Sequence, residues 1–236
     1  MINVFITSTE QNESKKFVIA GLSGVMQSLG YSVGVYKPII TNTIEVKGFL
    51  QSKDLMFVKY IDPFVKTYFS YMFKNNLTPL FAAAQEKTEI EKDIIISDFQ
   101  KIQKQNEILL TSGTFGLATP LNKNLLEEDI IKELDIPVLL VISAQKSTIN
   151  NIILSINRLK EQNIELNGVI ITDFEKQIIN EKTLLPQIIE EYTDAKVLGT
   201  LPVIDLSISP SDLITQILNN INIENVFNIK IAKLNN

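Results

Sequence analysis

The chain has 236 residues with 22 basic and 27 acidic side chains, giving a net charge of −5, and it contains neither histidine nor cysteine. Their lack excludes imidazole bases, thiolate nucleophiles, disulfides and every metal centre built from His or Cys. Arg158 is the single arginine, which also excludes an arginine cluster for phosphate, and the acidic balance predicts no nucleic-acid partner.

Apolar periodicity predicts strands and helices in alternation along the chain. The first part is predicted to run, in order, as strand 2–6, helix 15–29, strand 32–36, a loop through 48, helix 51–59, an irregular aromatic-rich stretch over 63–79, helix 90–104 and strand 108–111. The second part is predicted to run as helix 125–134, strand 138–142, helix 148–162, strand 169–172, helix 181–192, strand 197–201 and helix 211–219.

The strands carry the signature of a buried sheet. Residues 138–142 are apolar on both faces, which is typical of a parallel sheet with helices packed on each side. No Pro/Gly/Ser-rich linker or charge block divides the chain. We therefore predict one α/β domain over 1–236, a doubly wound, mostly parallel sheet with helices on both faces, whose ligands bind at the carboxyl ends of the strands.

Export and membrane signals are missing from the sequence. Residues 1–6 form a short apolar run without a basic flank, and no stretch approaches the ~20 apolar residues that a membrane span needs. We expect a cytoplasmic protein with no membrane partner.

The loop after the first strand has the position of a phosphate-binding loop. Residues 7–16 lead into the first predicted helix and place Lys15 at its start, where helix N–H groups and a lysine bind phosphates in P-loops. The loop lacks glycine, however, and Gly21 is the first glycine of the chain. Ser14 stands where the glycine before the lysine belongs, and Lys16 where the magnesium-binding hydroxyl belongs.

The second strand ends in Tyr36-Lys37-Pro38. A lysine at the end of a buried parallel strand, followed by a proline that fixes the turn, directs its amine into the crevice at the sheet edge. The alternative is a lysine whose stem lies along the sheet edge and whose amine reaches water.

Five segments in order resemble dethiobiotin synthetases. They are residues 1–40 with Val4-Phe5-Ile6-Thr7 and Gly34-Val35-Tyr36-Lys37-Pro38, residues 77–86 with Leu77-Thr78-Pro79-Leu80 and its Ala-rich helix, residues 109–121 ending in Thr119-Pro120-Leu121, residues 137–150 ending in Ile149-Asn150, and Leu198-Gly199-Thr200-Leu201-Pro202. The resemblance implies a homodimeric enzyme of the biotin pathway with a P-loop ATPase fold. With ATP and Mg²⁺, that family phosphorylates a carbamate formed from diaminononanoate, a diamino carboxylic acid, and carbon dioxide, and then closes the ring.

The resemblance also implies roles for individual residues. Lys15 and Lys37 match the catalytic lysines at the phosphates and the carbamate, and Asp54 aligns with a carboxylate that binds magnesium. The positions matching nucleotide contacts are Thr9, Ser14, Lys15, Lys16 and Thr172. The positions matching substrate contacts are Thr41, Ser147, Thr148, Ile149 and Asn150. The last four form a helix N-terminus that, in the family, receives the carboxylate of substrate bound to the neighbouring subunit.

The departures from the family pattern concern the phosphate loop and the metal. Ser8, Gln11, Ser14 and Lys16 replace characteristic residues of the loop, and Ser112 replaces an acidic residue. Two of three expected magnesium ligands are thereby lost. Lys16 either supplies part of the missing positive charge or points to solvent.

Three hypotheses remain open from the sequence. The chain is a diverged dethiobiotin synthetase with altered ATP and Mg²⁺ binding, an enzyme of related phosphate-dependent chemistry on another small carboxylate, or a non-catalytic dimeric relative that acts as a binding or scaffold protein without cofactors. The loss of loop glycines favours the last hypothesis, and the presence of Lys15 and Lys37 favours the first.

Overall fold

The computed structural model describes residues 1–41, 43–175 and 183–231. Within these ranges the strands are β1 (Ile2–Ser8), β2 (Val33–Tyr36), β3 (Ile39–Ile40), β4 (Thr43–Val46), β5 (Phe49–Ser52), β6 (Lys66–Tyr68), β7 (Tyr71–Met72), β8 (Ile108–Ser112), β9 (Pro120–Asn122), β10 (Leu125–Leu126), β11 (Val138–Ser143), β12 (Leu166–Thr172) and β13 (Val197–Thr200). The helices are α1 (Lys15–Ser28), α2 (Lys53–Ile61), α3 (Pro79–Gln85), α4 (Lys92–Gln103), α5 (Glu127–Leu134), α6 (Ile149–Glu161), α7 (Leu185–Thr193), α8 (Pro210–Asn220) and α9 (Ile223–Phe227).

Seven strands form the central sheet in the order β13-β12-β11-β1-β8-β2-β6. Every pairing in it is parallel; β1, for example, pairs with β11 on one side and with β8 on the other, so that Phe5 lies between Val138 and Thr111. The carboxyl ends of β1, β2 and β8 therefore meet at one edge of the sheet, as expected for a ligand site in an open α/β fold.

Helices cover both faces of this sheet. One face packs against α1, α2, α8 and α9, and the other against α3, α4, α5, α6 and α7. Helix α1 illustrates the cause, because Val18, Leu22 and Val25 form a stripe at helical spacing and all three are fully buried. The predicted fold class, a doubly wound α/β sheet with helices on both faces, is confirmed.

The structure adds elements that the periodicity did not predict. The predicted loop through 48 contains the hairpin β4–β5, whose Lys47 and Gly48 turn has positive φ angles, so α2 starts at Lys53 rather than at 51. The irregular stretch over 63–79 contains β6, the edge strand of the main sheet. These strands have three or four residues, too few to show a period.

Two predicted helices differ at their starts. The one predicted over 125–134 begins at Glu127, after the short strand β10. Of the helix predicted over 181–192, residues 181–182 lie outside the described residues, and α7 begins at Leu185. A single domain over 1–236 stays a prediction.

Across the described ranges, none of the helices has the length and apolar character that a membrane span requires.

Candidate functional site

A cleft of about 300 Å³ opens at the carboxyl edge of the sheet. Lys15 at the start of α1, Lys37 after β2 and Asp54 in α2 line it, together with Thr41 and Ser112. Its size suits a small molecule. Four lysines but two acidic residues line it, so this part of an acidic chain has the charge to attract an anion.

Lys15 is buried beneath the cleft floor, with 5% of its surface exposed. Its Nζ donates to the carbonyl oxygens of Gly113 at 2.7 Å and Thr114 at 2.8 Å. Burial lowers the pKa of Lys15 from 10.5 to about 8, with the nearby Glu127 carboxylate opposing this change and the Lys37 ammonium adding to it. The ammonium is thus held against the loop after β8 rather than free in the cleft.

Lys37 and Asp54 form an ion pair on the cleft wall. Lys37 is largely buried, with 14% of its side chain exposed, whereas Asp54 has 43% exposed. Partial burial raises the pKa of Asp54, but the Lys37 ammonium lowers it, by charge and by hydrogen bond, and the net pKa lies below its ordinary value. The lysine after the second strand therefore points into the crevice, as its position predicts, and not along the sheet edge to water.

The loop before α1 is compact and bonded to itself. The N–H of Ser14 donates to the Asn12 side chain at 2.9 Å, and the N–H of Lys15 donates to the Asn12 carbonyl at 3.3 Å. The N–H of Phe17 donates to the carbonyl of Ser14 at 3.0 Å. In this conformation these three N–H groups are not available to a phosphate.

Side chains bind the same loop to two other strand ends. The Ser14 hydroxyl donates to both carboxylate oxygens of Asp173, which follows β12. Thr9 and Ser147 share a hydroxyl–hydroxyl bond of 3.1 Å, and Ser147 also donates to the Glu10 carboxylate. Together these bonds hold the loop closed against the ends of β11 and β12.

Lys16 lies at the cleft surface and not on its floor. Its side chain is half-buried, and its Nζ sits 5.3 Å from the centre of the Phe17 ring, a distance at which an ammonium is attracted to an aromatic face. Lys16 also lines the cleft. Its side chain is therefore not directed to solvent alone.

The remaining sequence-predicted residues surround the cleft without lining it. Thr148 is the N-cap of α6, and its hydroxyl accepts from the N–H of Asn151 at 3.2 Å. Ser147, Ile149 and Asn150 belong to the same helix start. Thr172 ends β12, is buried, and donates its hydroxyl to the carbonyl of Ile142 at 3.0 Å.

Comparisons with known proteins address the family. A family model described as "AAA domain" matches residues 3–211. The ATP-dependent dethiobiotin synthetase BioD of Nitrosopumilus maritimus is 30% identical over 86% of this chain and 90% of its own length. The protein of the same name from Thermodesulfovibrio yellowstonii is 32% identical over 84% of this chain and 87% of its own. The chain belongs to the dethiobiotin synthetase family.

Solved structures support the fold alone. A ParA family ATPase from Chlorobium tepidum is similar with a TM-score of 0.57 at 9% identity, over 91% of this chain and 90% of its own. This similarity places the chain among P-loop-type folds.

Asp54 is the residue at which the fit to a magnesium ion can be examined, because the resemblance assigns the metal to it. Nowhere in the ranges that the structure describes do three or more acidic residues cluster closely enough to hold a metal ion. Asp54 is a partly exposed, charged carboxylate in the cleft, and Mg²⁺ is commonly held by one or two carboxylates with substrate phosphates and waters. The residues present fit a metal that arrives with a nucleotide, not one caged by the protein.

The contacts of two residues at the site, Glu127 and Asp173, are not predicted by the sequence. Glu127 is fully buried beneath the loop after β8 and bonds to Thr7 and Thr114. Glu127 and Glu128 stand in the first turn of α5, where acidic residues are common because of the helix dipole. No local signal marks one of them as reaching the site. Asp173 directly follows Thr172 in the sequence, but no local pattern predicts its bond to Ser14.

Proposed function

We propose that this protein is an ATP- and Mg²⁺-dependent ligase of the dethiobiotin synthetase type, with an altered phosphate loop and metal site. Its substrate is a diamino carboxylic acid, which it carboxylates and cyclises in biotin biosynthesis. The observation that carries the proposal is the convergence of Lys15, Lys37 and Asp54 on one cleft at the carboxyl edge of the sheet. Membership of the family supplies the reaction.

The two lysines are proposed as the catalytic residues. Phosphoryl transfer depends on positioning and on stabilising charge that spreads over the phosphate oxygens. Lys15 at the helix start neutralises the terminal phosphates, and Lys37, on the cleft wall, holds the carbamate beside them. Thr41 contacts the substrate from the segment that follows β3.

The other sequence-predicted residues are assigned to the nucleotide and the metal. Thr9, Lys16, Thr172 and the main-chain N–H of Ser14 contact the nucleotide, and Asp54 binds magnesium, which neutralises phosphate charge when it is bound. The closed state of the loop implies that its N–H groups turn outward before they bind phosphates. Lys15 must then leave the carbonyls of the loop after β8.

A homodimer completes the proposed substrate site. The start of α6, with Ser147, Thr148, Ile149 and Asn150, binds the carboxylate of substrate bound to the other subunit, because the N-terminus of a helix favours an anion. Sedimentation of the full chain should therefore give about twice its 26.6 kDa. A monomer at micromolar concentration would contradict a shared site. We also propose a cytoplasmic location, in keeping with the pathway.

Calorimetry with ATP and Mg²⁺ tests the nucleotide site. The wild-type protein should bind saturably, and Lys15→Ala should remove binding, whereas Lys53→Ala, a matched loss of one ammonium at the exposed rim, should keep most of it. Heat equal to the buffer blank at millimolar nucleotide would contradict the proposal. Mass spectrometry of reactions with diaminononanoate, bicarbonate and ATP should then show dethiobiotin.

A second candidate, a non-catalytic dimer that acts as a binding or scaffold protein, is favoured by one observation. The N–H groups of Ser14, Lys15 and Phe17 are bonded within their own segment, as they would be in a chain that no longer wraps a triphosphate. Nucleotide binding without phosphate release, in the presence of every substrate, would favour this candidate over the ligase.

A further inference from the structure

Glu127, at the first position of α5, packs against the backbone of the loop after β8. It has 2% of its surface exposed. One carboxylate oxygen accepts from the Thr7 hydroxyl at 2.6 Å, and the other accepts from both the N–H and the hydroxyl of Thr114. A Cβ on Gly113 would lie 2.4 Å from the first oxygen, so no larger residue fits there without displacing the carboxylate.

Thr114 connects this carboxylate to Lys15. Its N–H and hydroxyl are held by Glu127, while its carbonyl, together with the carbonyl of Gly113, accepts from the Lys15 ammonium. With the N–H side fixed, the carbonyls on the other side of the turn face the lysine. The orientation of the two carbonyls therefore depends on the bonds that Glu127 makes.

The charges around Lys15 also connect it with Glu127. The charged groups that act on Lys15 are Glu127, Lys37 and Asp54. Asp54 is already paired with Lys37, which leaves Glu127 as the carboxylate that balances the buried Lys15 ammonium. A buried charge is retained only when such a partner and sufficient hydrogen bonds accompany it.

We propose that Glu127 is the positioning residue of Lys15, fixing the carbonyls that hold the ammonium and supplying the negative charge that keeps it protonated. The role of Lys15 at phosphate rests on the proposed function; its dependence on Glu127 does not.

The test compares two adjacent, equally buried glutamates. Glu127→Gln keeps the shape of the side chain and removes its charge. Glu128→Gln is the matched control, because Glu128 is also 2% exposed but pairs with Arg158 on α6, away from the cleft. The readout is an NMR titration of the lysine ε-carbon in the ligand-free full chain, with the Lys15 signal assigned from its loss in Lys15→Ala.

Glu127→Gln should weaken proton binding at Lys15 by about tenfold, as expected for the loss of a nearby opposite charge. Glu128→Gln should leave the Lys15 titration within about twofold of the wild-type protein. An unchanged titration in a folded Glu127→Gln protein would overturn the inference, as would an equal change in the control variant. Both outcomes are obtained without nucleotide.

A second measurement separates this inference from the proposed function. If ATP binds, its affinity in Glu127→Gln should fall more steeply above neutral pH than in the wild-type protein or in Glu128→Gln, because Lys15 loses its proton earlier. If ATP binds to none of the three proteins while the titrations differ as expected, the proposed function fails and the positioning role stands.

Discussion

The Ser14 hydroxyl donates to both carboxylate oxygens of Asp173, at 2.9 and 3.1 Å, and joins the loop before α1 to the end of β12. Ser143 donates to the same carboxylate at 2.6 Å. A negative side chain thereby lies at the N-terminus of α1, where the helix dipole favours an anion. Asp173 thus lies where a phosphate would otherwise be favoured.

Ser14→Ala should raise the affinity for ATP several-fold and lower the stability of the protein by about 1 kcal/mol. The stability loss is that of a net side-chain hydrogen bond, and the affinity gain follows because the loop before α1 is no longer bonded to the Asp173 carboxylate and can open for the phosphates. Calorimetry and urea unfolding measure the two quantities. Ser143→Ala removes another bond to Asp173 but leaves the loop attached, so its ATP affinity should match the wild-type value. Weaker ATP binding in Ser14→Ala would contradict this account.

Gly116 brings the loop after β8 against the loop before α1. Its φ is +140°, and a Cβ would lie 2.9 Å from the carbonyl oxygen of Ser8. Gly116→Ala should cost about 2 to 4 kcal/mol of stability, because backbone strain of about 1 to 2 kcal/mol adds to a clash with main-chain atoms. The change should also weaken ATP binding. Gly48→Ala is the control: φ is +82° with nothing within 4 Å, so only the strain applies. Equal losses in urea unfolding would contradict the close approach.

Much of the fold could be predicted because long elements show their period. Helix α1 and strand β11 carry runs of buried apolar residues, and the crevice position of Lys37 follows from the end of β2. The Glu127 and Asp173 contacts could not be predicted. The Glu127–Thr7 and Ser14–Asp173 contacts join residues with sequence separations of 120 and 159. They depend on a main-chain path that neither local segment specifies.

Lys37→Met should lower kcat by about 10²- to 10³-fold with a much smaller effect on ATP affinity. This is the loss expected when one preorganised positive group is removed from a phosphoryl-transfer site. Lys53→Met, the same change on the exposed rim of the cleft, is the control. Phosphate release measured against substrate concentration separates kcat from KM. A variant of Lys37 with near wild-type kcat would exclude its proposed role at the carbamate.

Asp54→Asn should remove the dependence of ATP binding on magnesium. The Lys37 ammonium keeps the pKa of Asp54 below its ordinary value, so the wild-type carboxylate is charged at neutral pH and available to the metal. Calorimetry with and without EDTA should show a clear loss of ATP affinity in the wild-type protein and little change in the variant. A magnesium effect of equal size in both proteins would place the metal elsewhere.

Because Lys15 is buried, the stability of the protein should increase as the pH rises above about 8 and this lysine loses its proton. Its pKa in the folded protein is about 8, against an ordinary value of 10.5. Between these two values the unfolded chain binds more protons than the folded one, and stability therefore increases with pH. Below about pH 8 the lysine is charged in both states, and the full cost of burying the ammonium is present.

The size of this effect is about 3 kcal/mol over the whole interval, since each pKa unit corresponds to about 1.4 kcal/mol. Urea unfolding from about pH 7 to about pH 10 should show the stability of the wild-type protein rising relative to Lys15→Met, so that titrations shared by both proteins cancel. Lys16→Met should follow the wild-type protein because it retains Lys15. A constant difference between wild type and Lys15→Met across this range would mean that the ammonium of Lys15 is not buried in solution.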